Sequence, residues 1–227
     1  MTKTRGIYIQ GCARSGNTLI RELCGSAFQD VKLVKLTKDT AECSLAFLIE
    51  TLRRPDAAGA VCVASRNYEN SLAMDRELLR TNPDVRILWM LRDPRDILTS
   101  IHANIPDKYY VTPDRLIKSL QLYFQFKDEP QVLTVRYEEL VGDPNAMQTR
   151  ISQACDLAAS RPFTEAYKFF PRFFENVRAM HSIRPIDTQS VQKWRSNPAH
   201  QKHLAQTLAA HPEIVSLGRE CGYEVTL

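Results

Sequence analysis

Two short segments of this 227-residue sequence combine residue types and spacings suited to holding phosphate. The first is Gly11-Cys12-Ala13-Arg14-Ser15-Gly16-Asn17-Thr18. It follows an apolar run, Ile7–Gln10, and leads into a helix-like stretch, Gly16–Phe28. A glycine-containing loop that opens a helix turns successive backbone N–H groups, and the positive end of the helix, toward an anion. Small residues let the backbone come close, and Ser15 and Thr18 offer hydroxyl donors. The segment nearly matches the nucleotide-kinase loop GxxxxGK[ST], but Asn17 occupies the lysine position. That lysine normally neutralises the transferred phosphates, so its absence argues against ordinary ATP or GTP chemistry. The cation lies inside the loop instead, at Arg14. The plain alternative is a tight strand-to-helix turn with an incidental arginine.

The second segment is Leu91-Arg92-Asp93-Pro94-Arg95-Asp96-Ile97-Leu98-Thr99-Ser100, at the end of the apolar run Val85–Leu91. Arginine offers a planar fork of donors for phosphate oxygens. Pro94 suits the first turn of a helix. A helix over Pro94–His102 places Ser100 about two turns in, where its hydroxyl meets the same anion as Arg92. The alternative here is a salt-bridged strand-to-helix turn.

Together, GCARSGNT and LRDPRDILTS resemble the two cofactor-binding motifs of sulfotransferases that use 3′-phosphoadenosine 5′-phosphosulfate (PAPS). The resemblance implies that residues 11–18 grip the 5′-phosphosulfate, and that Arg92 and Ser100 grip the 3′-phosphate. Val135-Arg136-Tyr137-Glu138-Glu139-Leu140 with Asp143-Pro144 resembles the family's RYEDL…DP segment, which implies Tyr137 near the adenine. Gln192-Lys193-Trp194-Arg195 resembles the W-[RK] element that closes over the cofactor, which adds Trp194 and Arg195. The sequence departs from the family at Asn17, where Thr or Ser is usual, and at Leu19, where some members carry an adenine-stacking tryptophan. It also lacks a glycine-rich RKG approach before Trp194 and is short for the family.

Sulfuryl transfer needs in-line attack, stabilisation of charge on the bridging oxygen, and a base for the acceptor proton. Arg14 is the candidate for charge stabilisation, and no metal is required because arginines can neutralise the cofactor. The family's histidine segment corresponds to Ala64-Ser65-Arg66-Asn67-Tyr68-Glu69, which has no histidine; Arg66 takes the cationic, substrate-side role there. Other branches of the family use a glutamate after the first helix and second strand, so the resemblance implies Glu42, then Asp39, as the candidate bases, although both also suit a helix start. His102 reads as helix packing, and His181, His200, His203 and His211 read as surface residues. The aromatic stretch from Phe163 to Phe174 suits either an acceptor pocket or core packing.

These residues need a scaffold. Strand-like runs at Ile7–Gln10, Val31–Leu36, Ala60–Ala64, Val85–Leu91 and Val132–Tyr137 alternate with helical stretches at Gly16–Phe28, Ala41–Arg54, Asn70–Arg80, Pro94–His102 and Pro113–Phe126. That alternation predicts a three-layer α/β fold with a mainly parallel sheet of about five strands, P-loop-like, with a C-terminal helical cap. The expected organisation is one sulfotransferase-like domain, with residues 1–143 as the cofactor-binding core and 144–227 as the cap. The motifs then fall beyond the carboxyl ends of the strands, where such sheets bind ligands.

Bulk composition narrows the partners. Thirty Lys and Arg face 26 Asp and Glu, a net charge of +4, which suits a cleft for a small polyanion better than a nucleic-acid surface. Six scattered cysteines with no CxxC pair read as buried thiols in a reducing compartment. With no signal-like or membrane-spanning run, the expected location is cytoplasmic. The resulting expectation is PAPS-dependent transfer, with PAP as product, to a small-molecule or glycan acceptor. A P-loop metabolite kinase and a non-catalytic PAPS- or nucleotide-binding protein are the rival readings.

Overall fold

The computed structural model describes residues 3–34, 44–65, 74–101, 105, 108–171, 180 and 182–226. Five strands, β1 (Gly6–Gly11), β2 (Val31–Leu33), β3 (Val61–Ser65), β4 (Val85–Leu91) and β5 (Val132–Arg136), form one sheet in the order β2-β3-β1-β4-β5. Every pairing is parallel. β1 lies at the centre and pairs with β4 in register from Gly6 opposite Val85 to Gly11 opposite Met90. Nearly continuous apolar runs are what a strand covered on both faces requires.

The period of two sorts these strands into two cores. Tyr8, Trp89 and Leu91 face one layer, with α2 (Leu45–Leu52), α5 (Pro113–Phe126) and the C-terminal helices Pro198–Ala210 and Glu213–Glu220. Ile7, Ile9, Leu88 and Met90 face the other, with α1 (Asn17–Ala27), α7 (Pro144–Cys155) and α8 (Phe163–Ala166). Trp89 anchors the first core, with its ring centroid 5.6 Å from that of Tyr123 and 6.4 Å from that of Phe126. This is the expected three-layer architecture.

Several boundaries differ from the sequence reading. α2 begins at Leu45 because the Ser44 side chain caps it by accepting from the Phe47 N–H. α3 spans only Arg76–Arg80 and is capped by Asp75. The larger correction is α4, which runs from Pro94 to Leu98 and stops before Ser100. The Thr99 hydroxyl bonds back to the Arg95 carbonyl at 2.6 Å. The chain then leaves the helix to pair with 109–110, as the Ser100 carbonyl accepts from Tyr110 N and Ile101 bridges to Tyr109. Ser100 therefore lies past the helix end rather than two turns inside it.

Of the aromatic stretch, Phe163 and Phe170 are buried in the second core, whereas Phe169 is exposed under the Arg161 guanidinium. Cys12, Cys24, Cys62, Cys155 and Cys221 are buried. Among the described residues, no helix is long and apolar enough to cross a membrane.

Candidate anion-binding site

The carboxyl ends of β1, β4 and β5 deliver three segments to one place. β1 ends at Gly11, whose φ of 151° and close approach to β4 exclude a side chain; a Cβ there would lie 2.6 Å from the Met90 carbonyl oxygen. The loop then holds Arg14 at φ 70° and Gly16 at φ 102°. A non-glycine residue in the left-handed region costs free energy and persists where its surroundings demand it.

Asn17 shows why the loop keeps its shape without a lysine. Its amide donates to the carbonyls of Gly11 and Cys12, at 3.3 and 3.2 Å. Ser15 is fully buried, and its hydroxyl donates to the Cys12 carbonyl at 2.5 Å. The single hydroxyl proton is thus used within the loop, so Ser15 is not the outward donor expected from sequence. The anion-facing donors are backbone groups. The Asn17, Thr18 and Leu19 N–H groups open α1 without intrahelical partners, and no acidic residue occupies that first turn.

Arg92, just past β4, is held from several sides. Its Nη1 donates to the Arg14 carbonyl at 2.9 Å and its Nη2 to the Ser190 carbonyl at 2.5 Å. Its guanidinium lies 4.2 Å from the Tyr137 ring centroid. Tyr137 packs so tightly on the loop that a Cβ at Gly16 would fall 2.7 Å from its ring. The Tyr137 hydroxyl reaches Ser190 Oγ at 2.6 Å. Arg92 Nε is buried and, among the described residues, has no hydrogen-bond partner.

The expected Arg92–Ser100 pair is joined indirectly. Ser100 Oγ accepts from Arg14 Nε at 2.7 Å, and Arg14 Nη2 donates to the Ile101 carbonyl at 2.9 Å. Arg14 also stacks on Tyr110 at 5.1 Å. Arg14 therefore links the two motifs, its backbone oxygen to Arg92 and its side chain to Ser100. Burial lowers the Arg14 pKa; Tyr110 opposes that shift and the nearby Arg92 charge adds to it. Two partly buried cations that repel one another form a site of positive potential suited to an anion.

Beyond Arg92, Asp96 has a side chain only 1% exposed, with Oδ2 3.9 Å from Arg92 Nη2. Oδ2 also accepts from the Gln192 N–H at 2.9 Å, while Oδ1 is buried and has no hydrogen-bond partner among the described residues. Burial raises this carboxyl to about 6; Arg92 and the Gln192 N–H pull against the rise, and Asp93 and Glu138 add to it. The other carboxylates are committed. Asp93 pairs with Arg95 at 2.7 Å, and Glu138 accepts from the Asp93 N–H and the Tyr223 hydroxyl.

The remaining candidates lie apart or outside the described residues. Trp194 is buried, 4.7 Å from the Arg95 guanidinium, and Arg195 lies beside its ring. Both line a polar cavity of about 510 Å³ with Asp93, Arg95, Glu138 and Tyr223, and no residue of the 11–18 loop lines it. Asp39, Glu42, Arg66, His102 and His181 lie outside the described residues. His200 and His203 are partly buried rather than plain surface groups: the His203 ring stacks on Tyr109, and His200 Nδ1 meets the Tyr109 hydroxyl at 3.2 Å. Sequence reasoning missed Asp96, Ser190 and Tyr110. Asp96 stood within the quoted RDPRD run, but nothing local marks Ser190 or Tyr110. Among the described residues, no group of three or more His, Cys, Asp or Glu could hold a metal ion.

Comparison with known proteins gives the family and the fold. The profile of the sulfotransferase family matches residues 45–161. No curated protein matches. Among solved structures, the sulfotransferase domain of the Synechococcus PCC 7002 olefin synthase is similar at 16% identity and TM-score 0.61, covering 98% of this chain and 96% of its own. Mouse sulfotransferase SULT7A1 complexed with PAP is similar at 12% identity and TM-score 0.61, covering 96% and 88%. The sulfotransferase domain from the curacin biosynthetic pathway is similar at 16% identity and TM-score 0.56, covering 90% and 98%. At these identities the structural likeness shows the shared fold.

Proposed function

We propose that this chain, which belongs to the sulfotransferase family, transfers the sulfuryl group of PAPS to a hydroxyl or amine of a small-molecule or glycan acceptor and releases PAP. The observation that carries the reading is the meeting of Arg14 and Arg92, with Arg92 Nε buried and unpartnered among the described residues. A buried donor left unpaired is costly, and a phosphate oxygen is the acceptor its position suits.

The residues divide the work as follows. The N–H groups of residues 17–19 and the positive end of α1 hold the 5′ end of the nucleotide. Arg92 holds the 3′-phosphate through its fork, kept in place by Tyr137 and Ser190. Ser100, released from Arg14, joins Arg92 on that phosphate. Arg14, once released from Ser100, stabilises negative charge on the bridging oxygen. PAPS supplies the activated sulfuryl group: the acceptor oxygen or nitrogen bonds to sulfur, and the bridging S–O bond breaks with its electron pair left on the departing phosphate. Glu42 or Asp39 takes the acceptor proton. Trp194 and Arg195 serve the segment that closes over the nucleotide, and Arg66 serves the acceptor side. An ATP-type mechanism is disfavoured because the Asn17 amide is neutral and bonded to loop carbonyls.

The test is ligand-induced stabilisation with PAP, AMP and ATP in the absence of Mg²⁺. PAP is expected to raise the melting temperature well above either rival. Arg92→Ala is expected to weaken PAP by roughly ten- to a hundredfold, the worth of a charge-assisted contact of ~1.5–3 kcal/mol. Equal shifts with AMP and PAP, or an unchanged PAP dissociation constant in folded Arg92→Ala, would refute the assignment.

A further inference from the structure

We propose that Asp96 is a positioning residue that ties Arg92 to the backbone of Gln192, so that one carboxylate sets both the aim of the arginine and the closure of the 190–196 turn. The idea rests on the assignment of Arg92 to a 3′-phosphate and extends it to a residue with no role so far. The geometry is a closed set of contacts. Residues 190–192 are fastened at three points: Ser190 O to Arg92, Ser190 Oγ to Tyr137, and Gln192 N to Asp96. Gln192 sits at φ 58°, a left-handed conformation that a glutamine keeps only where contacts hold it. The contact to Asp96 is made by that residue's own N–H.

The charges around Asp96 leave it alone in this role. Asp93 is paired with Arg95 beside it. Glu138, from α6 (Tyr137–Gly142), is engaged by Tyr223 and by the Asp93 backbone. Asp96 is therefore the carboxylate left for Arg92, and it is shielded from water. A buried carboxylate with an oxygen unpaired among the described residues weakens a fold, and such a cost is kept where the arrangement serves the protein. Here it couples two elements that are 96 residues apart in sequence. Arg92 cannot swing away from the phosphate side without disturbing the turn, and the turn cannot open without loosening Arg92. Nucleotides that carry a 3′-phosphate depend on this coupling, and those with only a 5′-phosphate do not.

The experiment compares wild type, Asp96→Ala and Asp96→Asn, the last of which keeps an oxygen to accept the Gln192 N–H. Amide hydrogen exchange of the peptide containing Gln192 is measured without nucleotide, and dissociation constants are measured for PAP and AMP. Asp96→Ala is expected to speed Gln192 exchange about tenfold and weaken PAP about tenfold, the scale of one lost hydrogen bond to a charged group. AMP affinity is expected to stay within about twofold of wild type, and Asp96→Asn to restore both quantities to within about threefold. If the alanine variant does not fold, Asp96→Leu removes the acceptor while filling the space. Unchanged exchange overturns the tie to Gln192 whether or not PAP binds. Equal losses for AMP and PAP overturn the link to Arg92. A wild type that ignores PAP would instead overturn the nucleotide assignment, with exchange still deciding the tie.

Discussion

Replacing Asp96 with asparagine should change how folding stability depends on pH, in the direction opposite to that of a salt-bridged carboxylate. The native carboxyl titrates near 6, against an ordinary value of 3.8, chiefly because of burial. Between those two values the folded chain keeps a proton that the unfolded chain has lost. The stabilising contribution is therefore complete below the unfolded value and is lost as pH rises through the folded one. A gap of about two units at 1.36 kcal/mol per unit gives roughly 3 kcal/mol. Asparagine does not titrate and mimics the protonated form. The unfolding free energy of wild type minus that of Asp96→Asn should thus fall by roughly 3 kcal/mol from about pH 4 to above pH 6. Carboxylates far from position 96 remain in both proteins and cancel in the difference. Urea unfolding of the two proteins side by side, with m-values checked for constancy, measures it. Parallel profiles, or a wild type that loses stability relative to the variant on acidification, would refute the reasoning.

Two further outcomes follow from the loop. Gly16→Ala should destabilise the fold by about 1–3 kcal/mol in urea unfolding, because φ 102° disfavours a side chain and the new methyl meets the Tyr137 ring; a change below about 0.5 kcal/mol would contradict the packing. Arg14→Asn keeps a residue that tolerates φ 70° but removes the charge, and it should cut turnover at saturating PAPS by about a hundred- to a thousandfold with a smaller loss of PAP affinity. Normal saturated turnover would mean that Arg14 only places the nucleotide.

The parts of this protein that could be read from sequence are those set by near neighbours. β4 emerged with its bounds intact because seven consecutive residues suit a strand covered on both faces, and α5 did so because Thr112 caps it and Pro113 opens it. The glycine loop was legible because a strand, two glycines and a helix start within a few residues leave the backbone few alternatives. α4 was misjudged at its C-terminal end because the signal that stops it is not local. Thr99 bonds back to Arg95, but the chain turns away at Ser100 to pair with 109–110, and no periodicity in 94–102 announces that partner.

The same distinction runs through the site. Motifs identify which side chains can bind an anion, but they do not say which of them are already bonded to the protein. Ser15 looked like a phosphate donor and is spent three residues back on Cys12. Ser100 looked like the partner of Arg92 and is held by Arg14, 86 residues away. Asp96 drew no role of its own within the RDPRD run, yet it is buried and accepts from the Gln192 N–H. Each case turns on a hydrogen bond worth about as much as the expected ligand contact, so internal partner and ligand compete on nearly equal terms. Under the proposed function the balance at Arg14 tips toward the nucleotide, because a charge-assisted bond from a guanidinium to phosphate exceeds one to a neutral hydroxyl. The contacts from Arg92 to the carbonyls of Arg14 and Ser190 need not break at all, since three of its five N–H donors remain for the anion.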